Sequence, residues 1–281
     1  MTRRFDRFVA SLAGVQLSAR ACNQYSSIDG DMRGNAIRRG NLKRYLTEIE
    51  AIGPRALLVG EAPSYRGGRL TGIAFVSERV MLDGVSIRSA PGRILGAGSG
   101  YRKATWGGER STEASATMVW STIREIEPLP LLWNAFPFHP FDRGNPRTNR
   151  VPDSAELATG EQFLLGLIRL FDFQTIVAIG NQAALSLSRM DIAHEKVRHP
   201  SQGGKQKFVA GLARLSQRTP SEDPMPRKSQ IQQIKEGRSM TERTYTSSNS
   251  GPKSPLPTKN AVKLSTVPSS AKEKFNGGRD D

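Results

Sequence analysis

Three short apolar runs constrain the fold of this chain more than any other feature of its sequence. Residues 56–59 read ALLV, residues 131–133 read LLW, and residues 175–179 read TIVAI. Runs of this length without polar alternation are typical of strands buried on both faces. Amphipathic segments lie between them, and such alternation predicts a parallel sheet covered by helices on both sides. We therefore expect a three-layer α/β/α fold with a central, mostly parallel four-stranded sheet, in which residues 195–198 form a short fourth strand.

The helices are predicted from apolar residues that recur every three or four positions, and from the residues that begin and end such patterns. Gly53 and Pro54 stop the first helix. Ser111 is a candidate N-cap of the second helix, and Asp153 or Ser154 of the third. The other predicted bounds are residues 35–52 for the first helix, 112–125 for the second, and 181–189 and 206–215 for the last two.

The segment 83–108 is rich in glycine and has no periodic pattern, so we expect an exposed, flexible loop. Its Gly96, Gly98 and Gly100 resemble a fragment of a phosphate-binding loop, but such a loop joins a strand directly to a helix. Neither element is predicted next to these glycines, which favours the flexible loop.

A change in composition divides the chain near residue 216. Residues 216–281 are rich in Ser, Thr, Pro, Lys and Gly and hold only two aromatic residues, Tyr245 and Phe275. Because this segment can bury too little apolar surface to offset the entropy of ordering, we expect a disordered basic tail, with a transient helical turn at 230–235. The expected organisation is an α/β domain over residues 1–215 followed by this tail.

The balance of charge points to a polyanionic partner. The formal net charge is +15 and the pI is about 10.4. Residues 216–281 hold 12 Lys or Arg and 7 Asp or Glu, a surplus of 5 (12 − 7), so about two thirds of the charge belongs to residues 1–215. Such a surplus favours a nucleic acid or an anionic membrane surface, with solubility alone as the alternative.

Cys22 is the only cysteine, which excludes an internal disulfide and any site with several cysteine ligands. Its simplest role is that of a small apolar filler. No run of about 18 apolar residues is present, so no membrane span is expected. Asp6 and Arg7 interrupt the N-terminal apolar stretch, which argues against a secretory signal. We expect a cytoplasmic monomer without a metal ion or an organic cofactor.

Polar side chains follow three of the predicted strands. Glu61 comes after the first strand, Asn134 after the second and His199 after the fourth. Since ligands of open α/β sheets bind beyond the carboxyl ends of the strands, these side chains are expected to meet at one edge of the sheet. Each has an ordinary alternative when taken alone: a solvated carboxylate, an amide that caps a turn, and a surface imidazole. Phe75, for its part, has the alternative of a core residue.

The segments around these residues resemble the motifs of the uracil-DNA glycosylase superfamily. Residues 59–63, VGEAP, followed by residues 72–76, GIAFV, are similar to the first motif of the branch that begins Gly-Glu-Ala-Pro-Gly. Asn134, with the stretch NPRTNR at 145–150, is similar to the strand-end asparagine of that branch and its downstream stretch. The His-Pro-Ser motif of the branch is matched at residues 199–201. The resemblance covers roughly residues 56–212.

The resemblance implies roles for the individual residues. Glu61 would align or activate the attacking water, and Phe75 would stack on an extruded base. Asn134 would read the edge of that base, and His199 would steady the charge that develops on it as it departs. Further residues implied in base binding are Gly60, Ala62, Pro63 and Ser64. Those implied in pressing the DNA strand near the lesion are Ser201, Gly203 and Lys205.

The function implied is that of a monofunctional DNA glycosylase, which removes uracil or a related deaminated base from single- or double-stranded DNA and leaves an abasic site. The sequence departs from the branch in lacking its iron–sulfur cysteines, and in Ser64, Ala74 and Ser77, which replace a glycine, a proline and a glycine. In the family, position 64 lies where the pocket is shaped against a 5-methyl group, so the preferred base stays open. The alternatives are a non-catalytic nucleic-acid-binding protein and, less compatible with the basic charge, a hydrolase of free nucleosides.

His139 lies close to the second motif, within Phe138-His139-Pro140. A contact with the phosphate backbone is one reading of this histidine. A structural or surface role is the reading that we favour.

Overall fold

The computed structural model describes residues 3–216. Its helices are α1 (Arg3–Ala13), α2 (Met32–Ile52), α3 (Gly68–Thr71), α4 (Glu78–Asp83), α5 (Ala114–Ile123), α6 (Ser154–Leu170), α7 (Asn181–Arg189) and α8 (Lys205–Ser216). Its strands are β1 (Ala21–Cys22), β2 (Ala56–Gly60), β3 (Val85–Ser86), β4 (Arg93–Ile94), β5 (Leu131–Asn134), β6 (His139–Pro140), β7 (Thr175–Ile179) and β8 (Glu195–Val197). Except for Ser216, which ends α8, the tail predicted at 216–281 and its helical turn at 230–235 lie outside the described residues.

The central sheet has four parallel strands in the order β5-β2-β7-β8. Leu58 in β2 is paired with Leu132 of β5 on one side and with Val177 of β7 on the other. All three side chains are buried, as expected for strands covered on both faces. Helices flank the sheet, so the predicted three-layer fold, including the short fourth strand β8, is confirmed.

The N-terminal helix α1 was not predicted from the sequence. Its apolar residues recur at helical spacing and are buried: Phe5, Phe8, Val9 and Leu12. The ring of Phe8 lies 5.6 Å from that of Trp133 in β5 and 6.3 Å from that of Phe163 in α6. The helix therefore joins α6 to the outer strand of the sheet.

Side chains and backbone geometry set the ends of the long helices. The carboxylate of Asp31 accepts a hydrogen bond from the N–H of Gly34, so α2 begins three residues before its predicted start. Gly53 ends it in a left-handed conformation with φ of 72°. Asp153 begins α6, where it exchanges hydrogen bonds with Glu156 in a capping box.

The prediction that Ser111 caps the second helix is wrong. Helix α5 begins at Ala114, and Glu113 occupies the N-cap position. The hydroxyl of Ser111 donates instead to the carbonyl of Arg66, and its N–H donates to the carboxylate of Glu78. Ser111 is thus bound to two distant segments before the helix starts.

The prediction of an exposed, flexible loop at 83–108 is only partly correct, because most of its residues are exposed but several of its apolar side chains are buried. Strands β3 and β4 form a short hairpin there, and a 3₁₀ turn follows at Ala97–Ser99. The carboxylate of Glu48 accepts hydrogen bonds from the backbone of Leu95 and the hydroxyl of Tyr101, at 3.2 and 2.8 Å. Leu95 and Tyr101 are buried, so this segment forms part of the core. No phosphate-binding geometry accompanies the three glycines in this part of the structure: Gly98 lies within the 3₁₀ turn, and Gly96 and Gly100 flank it.

Among residues 3–216, no helix has the length and apolar character needed to cross a lipid bilayer. Over the same residues, no group of three potential metal-ligating His, Cys, Asp or Glu side chains lies close together. The cytoplasmic location and the absence of a cofactor stay predictions.

Candidate active site

Two neighbouring strands bring the predicted carboxylate and amide together. Gly60 at the end of β2 is paired with Asn134 at the end of β5. The pairing continues past the strands, where the N–H of Ala135 donates to the carbonyl of Gly60 and that of Phe136 to the carbonyl of Glu61. Glu61 and Asn134 are therefore held beside each other by backbone hydrogen bonds, as the topology predicted.

Phe75 adopts an unusual backbone conformation, with φ of 55°. Non-glycine residues rarely adopt the left-handed conformation, which costs about 1–3 kcal/mol of backbone strain. Residues strained in this way are found most often at functional sites. The indole N–H of Trp120 donates to the carbonyl of Phe75 at 3.0 Å and so holds this conformation. A Cβ atom on Gly60 would lie only 2.3 Å from the ring of Phe75, so a glycine is needed at position 60 for the ring to approach the strand end.

His199 follows β8 and faces the same strand ends. Its ring lies 6.4 Å from that of Phe75, at an angle of 36°. Burial, assisted by the positive charge of Arg198, lowers the pKa of His199, which favours a neutral imidazole. The backbone N–H of Ser201 donates to Nδ1 at 3.2 Å, so Nδ1 is an acceptor and the proton of the neutral ring lies on Nε2.

These side chains line one cavity of about 610 Å³. Its volume lies within the range of about 300–1,000 Å³ that is typical of ligand sites. The predicted site residues in its lining are Glu61, Ala62, Pro63, Ser64, Phe75, Asn134, His199 and Ser201. Gly60 lies behind the ring of Phe75, while Gly203 and Lys205 are exposed and lie outside the lining.

The electrostatics of the cavity suit a carboxylate that takes up a proton. Burial raises the pKa of Glu61 above its ordinary value. A less solvated carboxylate is a stronger base toward a water molecule in the cavity. The N–H on Nε2 of His199 is a hydrogen-bond donor for any oxygen that gains negative charge. The cavity thus combines a base with a donor for a leaving group.

Several residues of the cavity were not among the predicted site residues. They are Glu113, Ser115, Asn149, Arg150, Gln182, Arg198 and Gln202. Asn149 and Arg150 belong to the stretch at 145–150, so a motif signal for them existed. Glu113 has no such signal, because it precedes a helix that begins far from any motif.

Gly160 was also missed, although it controls the approach of a helix to the strand end. A Cβ atom at this position of α6 would lie 2.0 Å from the carbonyl oxygen of Ala135. Any larger residue would therefore push α6 away from the residue that follows Asn134.

His139 has the structural role that the sequence favoured. It is buried in β6, and its Nδ1 lies 2.8 Å from the carbonyl oxygen of Pro63. Its Nε2 lies 3.3 Å from the carbonyl oxygen of Pro146. Burial lowers the pKa of His139, which favours the neutral ring. The shorter of the two contacts favours a proton on Nδ1, which the ring donates to the carbonyl of Pro63. His139 thereby supports the turn that follows Glu61.

The profile of the uracil DNA glycosylase superfamily matches residues 47–234, more than half of the 281 residues. The chain belongs to this superfamily. The fold is similar to that in the crystal structure of wild-type SMUG2 from Pedobacter heparinus, with a TM-score of 0.50 and 15% sequence identity. That similarity covers 75% of this chain and 97% of the other. No curated protein matches the sequence at a significant level.

Membership of the superfamily confirms the resemblance drawn from the motifs at 59–63, 72–76 and 199–201. DNA glycosylases make up this superfamily, so a DNA glycosylase family and DNA as the partner are supported for the chain.

Proposed function

We propose that this protein is a monofunctional DNA glycosylase that hydrolyses the N-glycosidic bond of uracil, or of a related deaminated base, and leaves an abasic site. The observation that carries the proposal is the single cavity in which Glu61, Phe75, Asn134 and His199 meet. A carboxylate, an aromatic face, an amide and an imidazole donor are the groups that extrusion and hydrolysis of a base require.

The carboxylate of Glu61 acts on the sugar side of the reaction. Cleavage of the bond builds positive charge on the sugar, which a nearby carboxylate stabilises as it develops. The same carboxylate orients a water molecule and accepts its proton as the water attacks the anomeric carbon. The raised pKa of Glu61 makes it a better proton acceptor than a solvated glutamate.

Asn134 and His199 act on the base side. Negative charge develops on the departing base, and the N–H on Nε2 of His199 donates a hydrogen bond to the oxygen that carries it. A single donor of this kind contributes about 3–4 kcal/mol to the transition state, or roughly 100- to 1000-fold in rate. The amide of Asn134 offers both a donor and an acceptor, which is what the edge of a uracil-like base needs.

Phe75 receives the base after it leaves the stack. Flipping a nucleotide costs a few kcal/mol, and less for a mismatched base. Stacking on an aromatic ring contributes about 1–3 kcal/mol per base and offsets this cost. The strained backbone of Phe75 holds the ring in place before the base arrives, so no further ordering is needed at that moment.

A monofunctional reaction is supported by the composition of the cavity wall. A glycosylase that forms a Schiff base uses an amine as nucleophile. Among the described residues that line the cavity, none is a lysine. Water activated by Glu61 is therefore the nucleophile that the site provides.

The test is incubation of the protein with single strands and duplexes that carry one uracil, followed by alkaline cleavage at abasic sites. We expect strand cleavage with the wild type, and a loss of at least 100-fold with Glu61→Gln. Glu109→Gln, which changes an exposed glutamate away from the cavity, is the matched control and should retain activity. Absence of cleavage by well-folded wild-type protein, for every deaminated base tried, would refute the proposal.

A non-catalytic nucleic-acid-binding protein is the second candidate, favoured by the motif departures and the basic charge. Two of the three substituted positions lie outside the lining of the cavity, however. Ser77 caps α4 through its hydroxyl, and Ala74 is buried. Only Ser64 lines the cavity. If the wild type cleaves nothing, and Glu61→Gln with His199→Ala binds DNA as tightly as the wild type, the second candidate is correct.

A further inference from the structure

Trp106 is the most exposed large apolar side chain of the described residues. It is 77% exposed, whereas the other two tryptophans of the chain, Trp120 and Trp133, are each 2% exposed. A single exposed apolar side chain is ordinary on a protein surface. What distinguishes Trp106 is that its neighbours hold the ring in place and surround it with positive charge.

Three contacts hold the segment that carries this ring. The hydroxyl of Thr105 donates to the carboxylate of Glu78 at 2.6 Å, and the ammonium of Lys103 donates to the carbonyl of Trp106 at 3.4 Å. The guanidinium of Arg33, at the start of α2, lies over the ring at 4.3 Å from its centroid. Because Trp106 stays 77% exposed with Arg33 in place, the rest of the ring is open to solvent. An aromatic ring that is ordered before its ligand arrives loses little further entropy on binding.

A second aromatic ring with an arginine lies beside the cavity. The guanidinium of Arg66 lies 5.5 Å from the centroid of the Tyr65 ring. Both residues line a groove of about 380 Å³, which shares Ser64 and Asn149 with the cavity of about 610 Å³. The groove is therefore continuous with the cavity that holds the candidate catalytic residues.

Hydrogen bonds connect this groove to the segment of Trp106. The carboxylate of Glu78 accepts from the hydroxyl of Thr105 and, at 3.0 Å, from the backbone N–H of Ser111. The hydroxyl of Ser111 in turn donates to the carbonyl of Arg66 at 2.9 Å. Three consecutive hydrogen bonds thus run from Arg66 to the residue before Trp106, so the two aromatic rings lie on neighbouring, mutually braced parts of the surface.

The surface from the groove to Trp106 combines aromatic rings with positive charge. Arg33, Arg66 and Arg102 are exposed, while Glu78 is 2% exposed and turns little negative charge toward solvent. Proteins bind single-stranded nucleic acid with these features, since bases stack on the rings and cations lie near the phosphates. An apolar protein surface is a poorer occupant, because it would bury the arginines without partners.

We propose that Trp106, supported by Arg33, stacks on an unpaired base of the DNA strand outside the cavity, at a point that the strand reaches along the groove lined by Tyr65 and Arg66. Single-stranded DNA is therefore favoured over a duplex, in which neighbouring base pairs cover the faces of each base. This inference rests on the proposed function, since the strand concerned is the one whose extruded base enters the cavity.

The experiment measures binding to undamaged DNA, for which no turnover is needed. One probe is a single strand of about 12 thymidine nucleotides, a length within the range of single-strand binding sites. The matched probe has the same phosphates but abasic tetrahydrofuran units instead of nucleosides, so it has the same charge without the bases. Dissociation constants are measured by fluorescence anisotropy for the wild type, Trp106→Ala and Trp106→Phe. Leu185→Ala, which truncates a side chain that is 52% exposed on α7, is the control.

We expect Trp106→Ala to raise the dissociation constant of the thymidine strand by roughly fivefold or more, as expected for the loss of one stacked base. Trp106→Phe keeps an aromatic face and should lose less. The abasic strand should bind the wild type and Trp106→Ala within about twofold of each other, because it offers no base to stack. Leu185→Ala should change neither constant. An unchanged affinity for the thymidine strand, or an equal loss for both strands, would overturn the inference.

A second measurement uses the wild type alone and so decides even if Trp106→Ala does not fold. Trp106 is the only exposed tryptophan of the three, so quenching of the intrinsic fluorescence by acrylamide reports mainly on its ring. The thymidine strand should protect the ring from acrylamide, and the abasic strand at equal saturation should protect it less. Equal protection by the two strands, or none by either, contradicts stacking.

Cleavage assays separate this inference from the proposed function. If the wild type cleaves no deaminated base in any strand, the proposed function fails, and the two binding measurements still decide on Trp106. If the wild type cleaves uracil-containing DNA, Trp106→Ala should reduce kcat/KM more for a single strand than for a duplex with the same lesion. A reduction that is equal for the two substrates contradicts the preference for an unpaired base.

Discussion

Arg150 donates two hydrogen bonds to the carboxylate of Glu156, from Nη1 at 2.9 Å and from Nη2 at 2.7 Å. Both side chains are largely buried. Glu156 also accepts the N–H of Asp153 and so completes the capping box of α6. One carboxylate therefore fixes both the start of a core helix and an arginine that lines the cavity.

Removal of Glu156 should destabilise the fold strongly. Glu156→Ala leaves the guanidinium of Arg150 buried without its partner and opens the capping box, and breaking a buried pair in this way costs about 3–5 kcal/mol. The measurement is the free energy of unfolding in urea. Glu161→Ala, on the same helix, is the control and should cost far less. An equal loss in the two variants would contradict the importance of the ion pair.

The burial of Glu61 predicts how stability depends on pH. Because its folded-state pKa is raised, its contribution to stability is fully present below the unfolded-state pKa and is lost as the pH rises through the folded-state value. Glu61→Gln should therefore raise the midpoint of thermal unfolding at pH 7.5 and change it little near pH 4. Glu109→Gln should show no such difference, and a Glu61→Gln effect that is equal at both pH values would contradict the prediction.

Loss of the ring at position 75 should weaken the binding of an extruded base. Phe75→Ala removes a stacking contribution of about 1–3 kcal/mol, which corresponds to roughly a 5- to 150-fold increase in dissociation constant. Fluorescence anisotropy with a 2′-fluorinated uracil strand measures this without turnover. Phe75→Tyr retains an aromatic face and should bind nearly as well as the wild type. Unchanged affinity for Phe75→Ala would show that the ring does not contact the base.

The hydroxyl of Ser201 lies 2.7 Å from Nδ1 of His199 and is the second donor to that nitrogen. Ser201→Ala should lower the single-turnover rate by roughly 3- to 10-fold, because one hydrogen bond of about 0.5–1.5 kcal/mol is lost while the backbone N–H still sets the tautomer. Nitrogen chemical shifts of the ring should keep the pattern of the Nε2–H form. Ser121→Ala, at an exposed serine, is the control. A change of tautomer in Ser201→Ala would show that the hydroxyl, not the backbone N–H, determines which ring nitrogen of His199 carries the proton.

The central part of the fold was predictable because its strands are buried on both faces. The runs at 56–59 and 175–179 show no alternation of polar and apolar residues, which is typical of strands covered on both faces. Such strands, separated by helices, predict the parallel sheet. Helix α1 was missed although Phe5, Phe8 and Leu12 recur at helical spacing. The charged residues between them lower its mean hydropathy and conceal that pattern.

The error at 83–108 has a different cause. Burial of Leu95 and Tyr101 depends on the carboxylate of Glu48, which lies 47 and 53 residues away in sequence. Hydrogen bonds between segments so far apart leave no local pattern. Composition alone therefore indicates a loop where tertiary contacts build part of the core.

The residues of the candidate site likewise fall into those that the sequence could predict and those that depend on tertiary contacts. Glu61, Asn134 and His199 were predictable because they end strands of one sheet, and the topology brings such residues together. Glu113 was not, since it reaches the cavity from the N-cap position of α5, which no motif marks. The left-handed backbone of Phe75 could not be predicted from the sequence either. Its carbonyl is held by the indole of Trp120, and its ring fits only because Gly60 has no side chain.

The bond from His139 to the carbonyl of Pro63 bears on how mutational scans of this protein are to be interpreted. Replacing this histidine should loosen the turn that follows Glu61 and move the Glu61 carboxylate, although the buried imidazole itself faces no substrate. A survey that scores only lost turnover would rank His139 with His199 as a candidate for the chemistry, although His139 is a buried part of the scaffold.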